Sequence, residues 1–184
     1  MAFDFGPYGP VADRRVQFEG LLSERATLPG AIAEFGVYNG GSTRHLAGFG
    51  RTVFAFDTFE GMPSQEFNGA LDHDEPGKFK PQLPLNQMFE GYHNVIPMVG
   101  RFVETLPKVP AHTKFVFVYM DCDLYESYRL VLDRLAKGRL VQGAAIVCDD
   151  YPHCKGAVKA IDEFVAANPS ATWNATNQLL LIST

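Results

Sequence analysis

The sequence predicts an α/β fold built on a mostly parallel, open sheet that ends in an antiparallel C-terminal strand, and three observations carry this. AIAEFGV, TVFAFDTF, NVIPMV, KFVFVYMD and AAIVCDD are runs of about four to eight mainly β-branched or aromatic residues, the kind that form strands buried on both faces. Helical patterns lie between several of them, and strand-helix alternation implies parallel neighbours joined by right-handed crossovers. Finally, ATWNAT and QLLLIST flank Asn177 and read as an antiparallel pair, which an open sheet carries at one edge.

Taken in order, Val11 to Arg25 is a leading helix. Val11, Phe18, Leu21 and Leu22 alternate roughly with Asp13, Arg14, Arg15 and Glu24 and stop before the Pro29-Gly30 breaker. This places a short helical segment over residues 1–28. The first strand is followed by a helix from Ser42 to Ala47, the fourth by one from Glu126 to Lys137, and the fifth by one from Gly156 to Ala167. In the last, Val158, Ile161, Phe164 and Val165 recur at helical spacing. Gly61 to Gln82 breaks the rhythm with Pro63, Pro76, Pro81, Gly69 and Gly77, and long irregular loops in compact domains are commonly lids, so a lid is expected over about 61–90. There is no internal repeat and no low-complexity tract.

Length and composition set bounds on function. With 184 residues, 46% hydrophobic and 12% aromatic, the whole chain, 1–184, can form one domain with a substantial core. A net charge of −5 without a basic block argues against nucleic acid or an anionic membrane as partner, and for a small molecule. No leader pattern and no membrane-spanning run is present, so a cytoplasmic protein is expected. Cys122, Cys148 and Cys154 form no CxxC pair and are odd in number, which points to reduced, buried thiols. His153 reads as a surface residue near a helix start.

Three clusters carry chemistry. In AEFGVYNGGSTRHLA, Glu34, Gly36, Gly40 and Gly41 follow a strand, and Ser42 is a plausible N-cap. Glycines at such a turn let backbone N–H groups approach a nucleotide-like ligand, although a purely structural turn explains the glycines about equally well. Asp57 ends the next strand about 20 residues on, where a carboxylate can accept both hydroxyls of a ribose, and this tips the balance to nucleoside binding. The glycine spacing differs from the diphosphate fingerprint, and Glu34 disfavours a diphosphate while tolerating the sulfonium and ammonium of S-adenosylmethionine. Third, YMDCDLYES places Asp121 and Asp123 at the end of one strand, and CDDY places Asp149 and Asp150 at the end of the next. Four clustered carboxylates repel one another unless some are protonated or a cation holds them. Oxygen ligands select Mg²⁺, Mn²⁺ or Ca²⁺, and this outweighs simple helix capping by Asp149 and Asp150.

The strings EFGVYNGGS at 34–42, FDTFEGMP at 56–63, GRFVETLP at 100–107, DCDLYES at 121–127 and GAAIVCDDY at 143–151 resemble the macrocin O-methyltransferase family of antibiotic-sugar methyltransferases. The resemblance implies a Rossmann-like class I methyltransferase fold, a seven-stranded sheet with helices on both faces. It implies that Glu34, Gly36 and Tyr38 line the methionine part of S-adenosylmethionine, that Asp57 holds the ribose, and that Phe59 and the Gly100–Arg101–Phe102 turn border the adenosine. Ser42, Thr58 and Asp121 are counted with these cofactor contacts. It further implies that Asp121, Asp149 and Asp150 coordinate Mg²⁺ and that Asp123 is the general base. Against the family the chain is short at its N-terminal helical extension, and its lid matches no family pattern.

The function so implied is metal-dependent O-methylation of a small molecule with free hydroxyls, with a sugar of a natural product or glycan as the leading acceptor and a homodimer as a possible assembly. Tyr125, Glu126 and Tyr151 stand near enough in sequence to contact ligand or to pack. An NAD-dependent oxidoreductase would share the sheet and Asp57 but needs a tighter glycine fingerprint and no aspartate cluster. A non-catalytic S-adenosylmethionine-binding module would have no use for the carboxylates.

Overall fold

A computed structural model describes residues 11–63 and 76–183 of the chain. The middle of the expected lid, 64–75, and the first part of the leading segment, 1–10, lie outside the described residues. The elements run α1 (Val11–Glu24), β1 (Ala31–Phe35), α2 (Gly41–Ala47), β2 (Val53–Asp57), α3 (Leu85–Met88), β3 (Val95–Val99), α4 (Phe102–Thr105), β4 (Phe115–Met120), α5 (Tyr125–Ala136), β5 (Leu140–Cys148), α6 (Lys155–Ala167), β6 (Ala171–Asn174) and β7 (Leu179–Ile182).

The strands form one seven-stranded sheet in the order β3-β2-β1-β4-β5-β7-β6. Strands β1 to β5 pair in parallel, and β7 runs antiparallel to both of its neighbours. The continuous apolar runs became the central strands: every residue of β1 and of β4 is buried. β3 departs from the expectation of burial on both faces, with Ile96 41% and Val99 51% exposed. It is the edge strand, and Pro97, which has no N–H to give to a second neighbour, is tolerated only there. β5 begins at Leu140, ahead of the apolar run, with a register shift against β4. Gly143, at φ 79°, lies in that irregular stretch, just before the apolar run AAIVC.

Two cores cover the two faces of the sheet. Phe18 and Leu22 of α1 and Leu46 of α2 pack on Ile32, Val53, Phe117 and Tyr119. On the other face Tyr128, Val131, Leu132 and Leu135 of α5 and Ala157, Ala160, Ile161 and Phe164 of α6 pack on Phe35, Val118 and Ile146. Each helix buries the stripe its period requires, and in α6 small alanines set that stripe, which leaves Val158 only partly covered. Among the described residues no helix is long and apolar enough to cross a membrane. The sheet order reverses direction between β1 and β4, and in open α/β sheets such a point opens a crevice at the carboxyl ends of the strands.

Candidate active site

At that crevice lies a cavity of about 1200 Å³, lined by the loops after β1, β2, β4 and β5 and by parts of α1 and of the β6–β7 turn. Gly36 makes the crevice possible. It has φ 89°, and a Cβ there would sit 1.7 Å from the carbonyl oxygen of Asp121, so only glycine lets the end of β1 lie against the end of β4. Gly36 N–H donates to Phe56 O at 3.0 Å and Asp121 N–H to Phe35 O at 2.8 Å, carrying the ladder into the loops. Tyr38 next adopts φ 49°, a conformation that costs a non-glycine residue free energy and often marks a functional turn.

The helix after this turn starts one residue earlier than expected. Gly40, not Ser42, is the N-cap of α2, in a left-handed conformation. Ser42 is buried within the first turn, and its hydroxyl donates to Glu34, as does that of Thr43. Glu34 is completely buried under the turn and is not among the residues lining the cavity. Burial pushes its pKa up to about 7, against the opposing effect of the two hydroxyl donors. It anchors α2 to β1.

Asp57 does face the cavity. Its Oδ2 accepts Val37 N–H at 2.7 Å and Tyr38 N–H at 3.1 Å, and its Oδ1 accepts Phe59 N–H at 2.8 Å. One carboxylate thus ties the β1 loop to the β2 loop. Thr58 lines the cavity and closes its own turn by donating to Gly61 O at 3.0 Å. Arg101 and Phe102 also line it, with Phe102 edge-on to Phe35 at 5.3 Å. Phe59 and Gly100 stand behind this wall: Phe59 packs on the α1/α2-side core, and Gly100 N–H donates to Asp57 O at 2.9 Å. The described ends of the expected lid meet through Met62 N–H to Lys78 O at 2.7 Å and Gly77 N–H to Met62 O at 2.9 Å.

Asp121, Asp123, Asp149 and Asp150 all reach the same cavity. Their environments differ. Asp150 is buried, and its Oδ2 accepts Cys122 N–H at 3.0 Å, Asp123 N–H at 2.9 Å and the Tyr128 hydroxyl at 2.7 Å, which leaves Oδ1 to offer. Asp149 pairs with Arg14 of α1 at 2.5 Å, and Asp121 accepts a long 3.4 Å bond from the Tyr119 hydroxyl. Burial raises the pKa of Asp121, and the charges of Asp149, Asp150 and Asp123 add to the rise. Burial also raises that of Asp149, with Arg14 pulling the other way. Asp123 stands at φ 56°, and its Oδ1 lies 3.4 Å from the Cys154 sulfur.

Carboxylate oxygens are the donors a hard divalent cation takes. Among the described residues the ligand atoms of Asp123, Asp150 and Cys154 lie within 4.8 Å of one another, and Asp121 and Asp149 bring two further carboxylates to the same cavity, with Arg14 paired to Asp149. Two thiols, Cys122 and Cys154, also line the cavity, and burial with the neighbouring carboxylates pushes the pKa of each up, which disfavours the thiolate form a soft metal takes.

Of the residues left open on sequence, Glu126 lines the cavity and His153 stands exposed at its rim. The Tyr125 hydroxyl instead donates to Glu163 at 2.6 Å on the α5–α6 surface, and Tyr151 packs edge-on to Trp173 at 5.0 Å. The sequence gives no role in the site to Arg14, Thr43, Cys154 or Gln178, the last of which accepts from Arg14 and donates to Asp149 O at 3.2 Å. None of them sits in a motif of its own.

The strand order, the antiparallel seventh strand and a ligand crevice at the β1/β4 switch define a class I methyltransferase fold. The calicheamicin methyltransferase CalS11 has the same fold, with a TM-score of 0.75 and 21% identity over 94% of this chain and 79% of its own. Residues 14–172 match the macrocin-O-methyltransferase (TylF) family, and the chain belongs to it. It is 33% identical over 153 residues, 71% of its length, to the 8-demethyl-8-(2,3-dimethoxy-alpha-L-rhamnosyl)-tetracenomycin-C 4'-O-methyltransferase of Streptomyces olivaceus. It is 30% identical over 157 residues, 76% of its length, to the demethyldecarbamoylnovobiocin O-methyltransferase of Streptomyces niveus. The chain spans 57% and 59% of the lengths of these two proteins.

Proposed function

We propose that this chain transfers a methyl group from S-adenosylmethionine to a hydroxyl of a small molecule, a sugar of a natural product or glycan, with a divalent cation at the aspartates. The observation that carries this reading is the convergence of the Gly36–Tyr38 turn, Asp57 and four aspartates on one cavity large enough for a nucleoside and an acceptor together. The sugar is supported by the name of one relative, a rhamnosyl-tetracenomycin 4'-O-methyltransferase.

In this reading Gly36, Tyr38 and Ser42 border the methionine portion of the methyl donor, and Asp57 its ribose. Thr58, Arg101 and Phe102 border the adenosine, with Phe59 and Gly100 holding that wall from behind. Glu34 acts through Ser42 and Thr43, fixing the first turn of α2 rather than touching ligand. Asp121, Asp149 and Oδ1 of Asp150 would hold Mg²⁺, Mn²⁺ or Ca²⁺. When bound, such a cation lowers the cost of ionising a sugar hydroxyl by stabilising the developing alkoxide. Asp123 accepts the hydroxyl proton on its carboxylate, a contribution of roughly 10²- to 10⁴-fold for a general base. The walls of the cavity align the acceptor oxygen with the donor methyl for an in-line displacement.

Calorimetry with S-adenosylmethionine and S-adenosylhomocysteine, in Mg²⁺ and in EDTA, with NAD as competitor, tests the scaffold. Both methionine nucleosides should bind in either buffer, and NAD should not compete. Turnover on rhamnoside acceptors should require the cation and be lost in Asp149→Ala, which keeps the Asp150 hydrogen bonds. Failure of either nucleoside to bind ends the reading; methylation by Asp149→Ala at the parental rate ends its metal part.

A further inference from the structure

The start of α6 is packed against the Asp123 turn in a way that the roles assigned so far do not use. Gly156, in the first turn of α6, has no room for a side chain: a Cβ there would meet Tyr125 N at 2.8 Å and Asp123 O at 3.4 Å. That close approach brings Cys154, at the N-cap position of α6 and 6% exposed, up to the two carboxylates. Its sulfur lies 3.4 Å from Asp123 Oδ1 and 3.6 Å from Asp150 Oδ1, and these three groups cluster within 4.8 Å. Cys154 N–H donates to Asp150 O at 2.8 Å, so the residue is fixed through its backbone as well. Its thiol makes no bond to the α6 backbone that would mark it as a helix cap.

A thiol has one proton and donates to one acceptor at a time. Asp150 already receives three donors on its other oxygen, and Asp123 Oδ1 is the nearer acceptor. The terminal torsion of an aspartate is broad, so a donor held against one oxygen biases which edge of the carboxylate is presented. We infer that Cys154 is a positioning residue of Asp123: its S–H donates to Oδ1 and biases which edge of the carboxylate faces the cavity. The backbone supports the same end, since Asp123 is held at φ 56° by its own N–H bond to Asp150 Oδ2. The inference rests on the proposed base role of Asp123 only for its consequence in catalysis; the hydrogen bond itself does not depend on that role.

Infrared spectroscopy of the purified full chain decides the hydrogen bond without turnover. The S–H stretching band of Cys154 is assigned by its loss in Cys154→Ala and should move to higher frequency in Asp123→Asn, because an ionised acceptor binds the thiol more strongly than an amide. The band of Cys148 serves as control. A Cys154 band that stays in place in Asp123→Asn overturns the inference. Kinetics with S-adenosylmethionine and a rhamnoside acceptor then read the consequence. Cys154→Ala should lower kcat roughly 10- to 100-fold, the scale of a small misplacement of a reacting group, with KM for S-adenosylmethionine unchanged. Cys154→Ser, which keeps a donor on a shorter bond, should return kcat to within a few-fold of the parent. Equal impairment of the alanine and serine variants overturns the positioning role. A wild-type chain without turnover counts against the methyltransferase reading, and the band still decides the role of the thiol.

Discussion

At the glycine-turn end of the cavity the carboxylates are surrounded by donors from their own chain, whereas at the β4/β5 end they face one another. Asp57 receives the N–H groups of Val37, Tyr38 and Phe59, and Glu34 the hydroxyls of Ser42 and Thr43. Asp121 has one long bond from Tyr119, and Asp149 leans on Arg14. An acid of the first kind holds two loops or a helix in place, whatever else its free oxygen meets. Acids of the second kind raise the free energy of the metal-free protein, and that is the arrangement a cation relieves. Asp150 belongs to the first kind although it stands among the second.

The two ends meet at Gly36, and the most severe way to break the contrast is there. Gly36→Ala must place a methyl group on the Asp121 carbonyl in a left-handed conformation, so both ends should come apart together. A loss of about 4 kcal/mol or more is expected, to be read as a collapse of the thermal transition. A variant that melts near the parent would mean that the ends of β1 and β4 are not in contact.

A smaller effect separates the ends by pH. Glu34 is raised from 4.5 to about 7 by burial, so its contribution to stability is fully present below pH 4.5 and lost as pH rises through about 7. The difference amounts to about 3 kcal/mol. Denaturant unfolding in EDTA should therefore show stability falling between those limits, and Glu34→Gln should flatten the fall. Persistence of the full slope in the variant would assign it to the β4/β5 end instead.

Much of this was legible in the sequence, and the parts that were not share a cause. The buried strands announced themselves because a strand covered on both faces must be apolar throughout, and the four aspartates because strand ends of a parallel sheet share one edge. The sequence places both Glu34 and Ser42 toward ligand; Ser42 lines the cavity while Glu34 lies beneath it, because alternation along β1 aims Glu34 at α2, and no local pattern reports which face the glycine turn leaves open. Arg14 on Asp149 and Cys154 on Asp123 are set by crossovers that bring distant segments together, which period and spacing cannot show. Pro97 was the one local sign that NVIPMV lies at an edge.

The cation effect comes next in size. Mg²⁺ at about a hundred times its Kd should stabilise the parent by about 2.7 kcal/mol. Asp121→Asn should remove this gain and, in EDTA at neutral pH, melt above the parent, because an amide carries no charge toward Asp149 and Asp150. If Asp121→Asn melts below the parent in EDTA, Asp121 is an architectural acid after all and the contrast between the two ends fails.

The smallest effect probes the donor-rich end. Thr43→Val removes one of the two hydroxyls on Glu34 while keeping shape and burial. A hydrogen bond to a charged group is worth about 1.5 kcal/mol or somewhat more, so a loss of that order is expected at pH 8, where Glu34 is ionised. The hydroxyl also lowers the Glu34 pKa, so its removal should move the end of the stability fall above pH 7. At pH 4 the carboxyl is neutral and the loss should shrink to less than half. A cost that is the same at both pH values would show that Thr43 fills space beneath the turn and that the carboxylate of Glu34 is held by Ser42 alone.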